Sequence, residues 1–241
     1  MANKKRMEEL KREQEKKEKQ TRYIQISGIG VVLLVVILAF WYFMPKSSKP
    51  AAQANVADIG NSTACDVFAD IPVAQKYTQP PMKIDTSKQY FATVKMAKGG
   101  EFIMQLYPDK APITVNSFVF LGCKGFFNGV TFHRVLEGFM AQTGDPTGTG
   151  LSGPGYQFVN EKNDLTFDKA GVVAMANAGP DTNGSQFFIM FNKYGLTEDS
   201  YTIFGQVVSG MDVVNGITRR DPQTNPTFTG DAMDTVTITV K

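Results

Sequence analysis

The chain has 241 residues, is 42% hydrophobic and 20% charged, and carries a formal net charge of +2. That composition is ordinary for a globular protein and excludes a fibre or a wholly disordered chain. The charge is uneven: residues 1–22 hold nine Lys/Arg against five Glu, about +4, which leaves about −2 for the rest, so the body gives no basis for a nucleic-acid partner.

Residues 1–22 alternate basic residues with Glu and Gln and carry no apolar stripe. Pairs such as Glu8–Arg12 and Glu15–Lys19 sit four apart, the spacing of a solvated helix that frays at its ends. Residues 24–44 then run 21 positions without a charge. At ~1.5 Å per residue they reach ~30 Å, the thickness of a bilayer's hydrocarbon. With Tyr23 at one end and Trp41, Tyr42 and Phe43 at the other, 23–44 is expected to be a single transmembrane helix in contact with the lipid bilayer. The triplet Ala52-Gln53-Ala54 resembles a signal-peptide cleavage site, but it lies well past the apolar run, and an uncleaved anchor fits better. The basic excess before the span puts the N-terminus in the cytoplasm and the remainder outside, as in a bacterial envelope protein or a eukaryotic type II protein.

Residues 45–84 are rich in Pro, Ala, Ser, Gln and Asn and read as a linker, although a few apolar residues in 66–76 could dock on the globular domain. The two cysteines, Cys65 and Cys123, are too few for a disulfide framework and are expected to remain unpaired.

From about residue 85 the texture changes to short alternating strands and glycine turns. Segments 90–97 and 101–107 flank Lys98-Gly99-Gly100, a hairpin signature. Asp109-Lys110-Ala111-Pro112 opens a helix with Asp109 or Lys110 near its cap and proline in its first turn. Val115, Phe118, Val119 and Leu121 supply its apolar face, and Gly125 ends it. Further short apolar runs at 130–135, 171–176, 187–191, 201–208 and 235–240 indicate one all-β barrel or sandwich over 85–241.

No nucleophile elbow, zinc-binding HExxH, CxxC or phosphate loop is present; the glycine-rich 144–155 lacks the Lys-Ser/Thr that a phosphate loop needs and reads as a surface loop. His133 is the single histidine, which rules out clustered histidine metal sites. No cofactor is implied. What remains is an apolar stretch with a lone arginine, where strand alternation would put Phe132 and Arg134 on one face and His133 on the other. Arg134 either lines a pocket or pairs with Glu137 or Asp145 at a rim. Ala174, Ala176 and Ala178 with Asn177 would form an edge that a peptide backbone can approach, and Phe188 could wall an apolar slot.

Three blocks, FHRVLEGFMAQTGDP, AMANAGPDTNGSQFFIM and YTIFGQV, resemble the cyclophilin family in order and separation, over about 90–241. The resemblance implies a mainly β fold, a closed eight-stranded antiparallel β-barrel capped by two α-helices, with the active groove on an outer face. It implies cis–trans isomerisation of X-Pro bonds, and hence proline-containing polypeptides as partners. Arg134 matches the family's catalytic arginine; Phe139, Met140 and Phe188 match its proline pocket; Gln142 matches the glutamine that positions arginine and substrate. Ala176 and Asn177 match the edge that pairs with substrate backbone, Gln186 the groove floor, and Tyr201 a position often held by histidine. Many eukaryotic members have a cyclosporin-contacting tryptophan where this chain has Leu196, which implies weak cyclosporin binding. Together with the anchor, the reading is an isomerase that assists extracytoplasmic folding; the competing reading is a binding module that holds proline segments without turnover.

Overall fold

The computed structural model describes residues 62–224 and 226–241. The charged segment 1–22, the apolar run 23–44 and the first part of 45–84 lie outside the described residues. Among the described residues no helix is long and apolar enough to cross a membrane. The apolar run 23–44 lies outside those residues, and the expected transmembrane helix and the single-pass extracytoplasmic placement built on it find no support in the structure and are carried no further.

The elements in chain order are β1 (Ser62–Thr63), β2 (Tyr90–Met96), β3 (Glu101–Leu106), α1 (Pro112–Cys123), β4 (Arg134–Leu136), β5 (Met140–Thr143), β6 (Val172–Met175), β7 (Phe187–Met190), β8 (Ile203–Ser209), α2 (Met211–Asn215) and β9 (Met233–Val240). The hairpin of β2 and β3 turns at Lys98-Gly99-Gly100, as its signature predicts, in the register Tyr90–Leu106 to Lys95–Glu101. All strand pairs are antiparallel, in the order β1-β9-β2-β3-β8-β6-β7-β5-β4.

A closed eight-stranded barrel is not what forms. Among the described residues the curled sheet has nine strands, counting the two-residue β1, and its ladder ends at β1 and β4. Near β4, only the single bridges Thr131–Ala232 and Val135–Arg220 reach across towards the other side. The run 130–135, expected as a strand, joins the ladder only from Arg134. Ahead of that point the chain exchanges isolated bonds, such as Phe132 N–H to Asp231 O at 2.8 Å, instead of a continuous ladder.

Inside the curl, Phe118 stacks on Phe127 (5.0 Å between centroids) and meets Phe187 edge-on (5.3 Å). In α1 every residue from Thr114 to Gly122 is buried, not only the expected face. A second covering layer explains this. Residues 64–84, read from composition as linker, run along the helix: Phe68 and Tyr77 pack edge-on against Phe120, at 5.3 and 4.9 Å. The Asn116 amide takes the Lys83 and Ile84 N–H groups and donates to Pro81 O, fixing the strap's main chain. Cys65 and Cys123 are joined by a disulfide, against the expectation that they remain unpaired. The strap brings Cys65 beside the last turn of α1, a proximity that 58 residues of separation concealed.

Neither Asp109 nor Lys110 caps α1. The carboxylate of Glu161 accepts the Ile113 and Thr114 N–H groups, at 2.8 and 2.7 Å, so a distant loop supplies both the hydrogen bonds and the negative charge that a helix N-terminus favours.

Candidate active site

β4 is only three residues long, and its alternation decides where the arginine goes. Val135 enters the inner core, so Arg134 and Leu136 stand on the outer face of the sheet. A tight turn follows, closed by Phe139 N–H to Leu136 O at 3.1 Å, with Gly138 at φ +69°, where a side chain would be strained. The turn starts β5 with Met140 and Gln142 on the same outer face. The register then aligns a row across four strands: Arg134 opposite Gln142, Gln142 opposite Phe188, and Phe188 opposite Ala174.

That row floors a second apolar cluster, separate from the inner core, built on Met140, Phe167, Val172, Ala174, Phe188, Met190 and Ile203. A cavity of about 140 Å³ opens over it, lined by Arg134, Phe139, Met140, Gln142, Ala176, Asn177, Phe188, Leu196 and Tyr201. Nine of the ten side chains singled out from the sequence thus meet in one cavity. Tyr201 stands edge-on to Phe188 at 5.5 Å. The tenth, Gln186, lies one step along the groove and accepts the Gln142 amide at 3.0 Å.

Arg134 is half-buried, and among the described residues no carboxylate pairs with it. Both rim partners considered for it are engaged elsewhere. Glu137 binds Arg219 at 2.6 Å, whose guanidinium also lies 4.2 Å over the Phe191 ring. Asp145, fully buried, accepts five backbone amides and two hydroxyls from residues 147–152. The guanidinium is therefore an uncompensated donor set at the edge of an apolar cavity.

Other expectations need correction. Phe132 does not share the face of Arg134: it is fully buried in the inner core, because the strand alternation begins only at Arg134. His133 is also buried, and its carbonyl accepts a hydrogen bond from Arg220. Burial and the nearby Arg220 charge push its imidazole pKa below the ordinary histidine range, against the opposing pull of Asp145. The Asn177 amide is not free for a ligand: it donates to Ser200 O at 2.8 Å and holds the turn next to Tyr201. The Asn177 main chain, by contrast, makes no hydrogen bond among the described residues and forms the open edge beside Ala176.

Phe167 was missed. It lies nearly parallel to Phe188 at 6.0 Å and edge-on to Tyr201 at 6.3 Å, backing the cavity's wall. The two-residue spacing of Leu165 and Phe167, both in this outer cluster, was the available signal. Tyr194, over Phe139 at 4.3 Å, was likewise passed over.

Beyond Gln142 the groove widens into a cleft of about 630 Å³ along the loop 150–157 and residues 176–178. The loop stays close because Gly144 (φ +92°) comes so near Ser185 that a Cβ there would stand 2.2 Å from its carbonyl oxygen. Gln186 then donates to Gly150 O and Ser152 O, at 2.9 and 3.0 Å. Among the described residues no three His, Cys, Asp or Glu side chains converge as a metal site would require.

Asp145 is the anchor of this loop. Burial alone would raise its pKa, but hydrogen bonds from Thr147, Ser152 and Gly150 outweigh that and hold it at about 2, below the ordinary 3.8. A depressed carboxyl contributes stability that is complete above 3.8 and lost as pH falls towards about 2. Asp145→Asn is expected to cost about 2 kcal/mol at neutral pH and to flatten the fall in stability between about pH 4 and pH 2. Urea unfolding across that range checks it; an unchanged acid profile would refute the assignment.

An outer-face row of arginine, glutamine and phenylalanine over an apolar slot is matched by known proteins. The chain fits the family profile described as "Cyclophilin type peptidyl-prolyl cis-trans isomerase/CLD" over residues 91–240. It is 45% identical over 133 residues to mouse peptidyl-prolyl cis-trans isomerase-like 1, covering 53% of this chain and 80% of the mouse protein. The counterpart from Emericella nidulans is 43% identical over the same length, covering 53% of this chain and 82% of that protein. Among solved structures, a Cryptosporidium parvum cyclophilin-type peptidyl-prolyl cis-trans isomerase superposes with a TM-score of 0.58 at 29% identity, over 62% of this chain and 97% of that one. The same protein solved in the presence of the dipeptide Ala-Pro gives 0.56, also at 29% identity, over 61% of this chain and 98% of that one. These relatives are eukaryotic and lend no support to the bacterial source expected from the sequence. With the profile spanning β2 to β9 and enclosing the whole Arg134 cavity, the chain belongs to the cyclophilin-type peptidyl-prolyl cis-trans isomerase family.

Proposed function

We propose that the 140 Å³ cavity is where X-Pro bonds of polypeptides are isomerised and that Arg134 is its catalytic residue. The observation that carries this reading is the unpaired guanidinium directly across the ladder from Gln142, at the head of an otherwise apolar slot. Phe139, Met140 and Phe188 receive the proline ring, with Leu196 and Tyr201 closing the slot. Ala176 and the main chain of Asn177 take the backbone beside the proline, and the Gln142–Gln186 pair orients the arginine's side of the groove. The isolated Ala-Pro unit with which the Cryptosporidium protein was solved is the kind of ligand this slot would accept.

Turnover tests the reading: the full chain should accelerate cis–trans exchange in short, generic proline peptides followed by exchange NMR. Binding of such peptides without acceleration would replace the enzyme by a proline-binding module.

Cyclosporin should bind weakly, because half-buried Leu196 offers neither an indole ring nor its N–H. Leu196→Trp is expected to strengthen inhibition about tenfold, the effect of one added aromatic contact. Low-nanomolar inhibition of the unmodified chain would overturn this part of the reading.

A further inference from the structure

The large cleft beyond Gln142 has one charged group among its described lining residues, Lys76, and no carboxylate. Lys76 comes from the strap, ahead of the family profile's first matched residue, Phe91. Its ammonium donates to Ser152 Oγ at 3.0 Å and to Gly153 O at 2.6 Å, both uncharged acceptors. An ammonium has three N–H donors, so among the described residues these two bonds leave one unused and the charge uncompensated.

The position of that charge is set by the groove itself. Gly153 and Ser152 belong to the loop that Gln186 holds through Gly150 O and Ser152 O, and Gln186 is bonded to Gln142. Main-chain contact between Tyr77 N–H and Pro154 O, at 2.7 Å, fixes the strap on the same loop. Lys76 is thus joined, through the 150–153 loop, Gln186 and Gln142, to the wall of the proline cavity. Gln142, Ala176 and Asn177 line both cavities, so a peptide seated in the smaller one continues into the larger. In an extended peptide, residues two apart lie about 7 Å from each other and face the same side. A residue two positions from the proline therefore turns its side chain into the cleft.

We infer that Lys76 gives this cleft a preference for an acidic side chain of the substrate, two residues from the isomerised proline. The inference rests on the isomerase reading of the Arg134 cavity. Lys76 is exposed, so the preference is modest, about threefold for Glu over Lys at low salt. It shrinks as ionic strength rises and the Debye length falls below about 10 Å.

The test uses the full chain and two peptide panels, X-Ala-Pro-Ala-Ala and Ala-Ala-Pro-Ala-X, with X as Glu, Gln or Lys. Exchange NMR gives kcat/KM for each. The expected result is a Glu:Lys ratio of about three in one panel. Lys76→Arg should keep that ratio and Lys76→Glu should invert it, while thermal melts confirm folding. Turnover of all peptides with equal efficiency, or a ratio indifferent to Lys76→Glu, overturns the preference and leaves the isomerase standing. Failure to turn over any peptide, the neutral Gln pair included, instead removes the reading on which the preference rests.

Discussion

Arg134→Ala is expected to lower kcat/KM for proline peptides by about 10²- to 10³-fold while leaving the thermal melt close to that of the parent chain. The X-Pro bond turns slowly because rotation breaks amide resonance, a barrier of about 18–20 kcal/mol. As the bond twists, the prolyl nitrogen becomes pyramidal and gains a lone pair that neither planar isomer offers. A guanidinium N–H aimed at that nitrogen binds the twisted state more strongly than the ground states, and only such differential binding accelerates the reaction. No proton need leave the substrate and no covalent bond need form. Bringing a tens-of-seconds process to milliseconds takes about four decades, or about 5–6 kcal/mol. Losing one charged donor in a partly desolvated site accounts for about half of that, and the apolar wall that holds the ring retains the rest. Arg134→Lys keeps the charge but not the planar fork, and should recover only part of the rate. The melt should hold because Arg134 is half-buried and makes no ion pair among the described residues, so its removal orphans no buried group. An undiminished rate in Arg134→Ala would sink the mechanism.

How much of this was legible in the sequence depends on the range of the contacts involved. The β2–β3 hairpin was readable because Lys98-Gly99-Gly100 is a local signal. The cavity floor was readable only through the resemblance, which grouped Met140, Gln142 and Phe188 with Arg134; the strand Met140–Thr143 that carries two of them was not among the expected strands. Features made by residues far apart left no pattern. Glu161 caps α1 from about fifty positions away, so the search for a cap next to Pro112 looked in the wrong place. Sheet closure depends on how segments 129–132 and 231–233 meet; the first lies in a run read as a strand, but its pairing with the second leaves no local signal, so closure was borrowed from the resemblance, and it is what the structure corrects. The glycine-rich 144–155 was read as a plain surface loop. Its order comes from one buried carboxylate collecting seven donors, which composition does not reveal. The strap was the largest omission: Phe68, Tyr77 and Ile84 are spaced with no helical or strand period, yet all three are buried.

That strap is the basis of the other large expected effect. Reducing the Cys65–Cys123 bond, or replacing both residues with alanine, should destabilise the chain by about 4 kcal/mol. Closing a loop of 58 residues removes that much conformational freedom from the unfolded state in the chain-entropy account. The folded side should change little, because the strap keeps independent holds on α1. Phe68 is fully buried beside Phe120, its carbonyl accepts the Lys124 ammonium at 2.6 Å, and Asn116 grips three main-chain groups of 81–84. The loss should therefore appear as a lower unfolding midpoint, about 2 M less urea at an ordinary denaturant slope, and not as a detached strap. Two measurements separate these outcomes. Urea unfolding with and without reductant reads the midpoint, and hydrogen exchange at the Ile84 amide reads whether the strap stays docked under native conditions. Equal midpoints would mean that the bond contributes nothing beyond the packing around it. Fast exchange at Ile84 in the reduced chain would mean that the packing alone cannot hold the strap, and Lys76 would then leave the cleft when the disulfide opens.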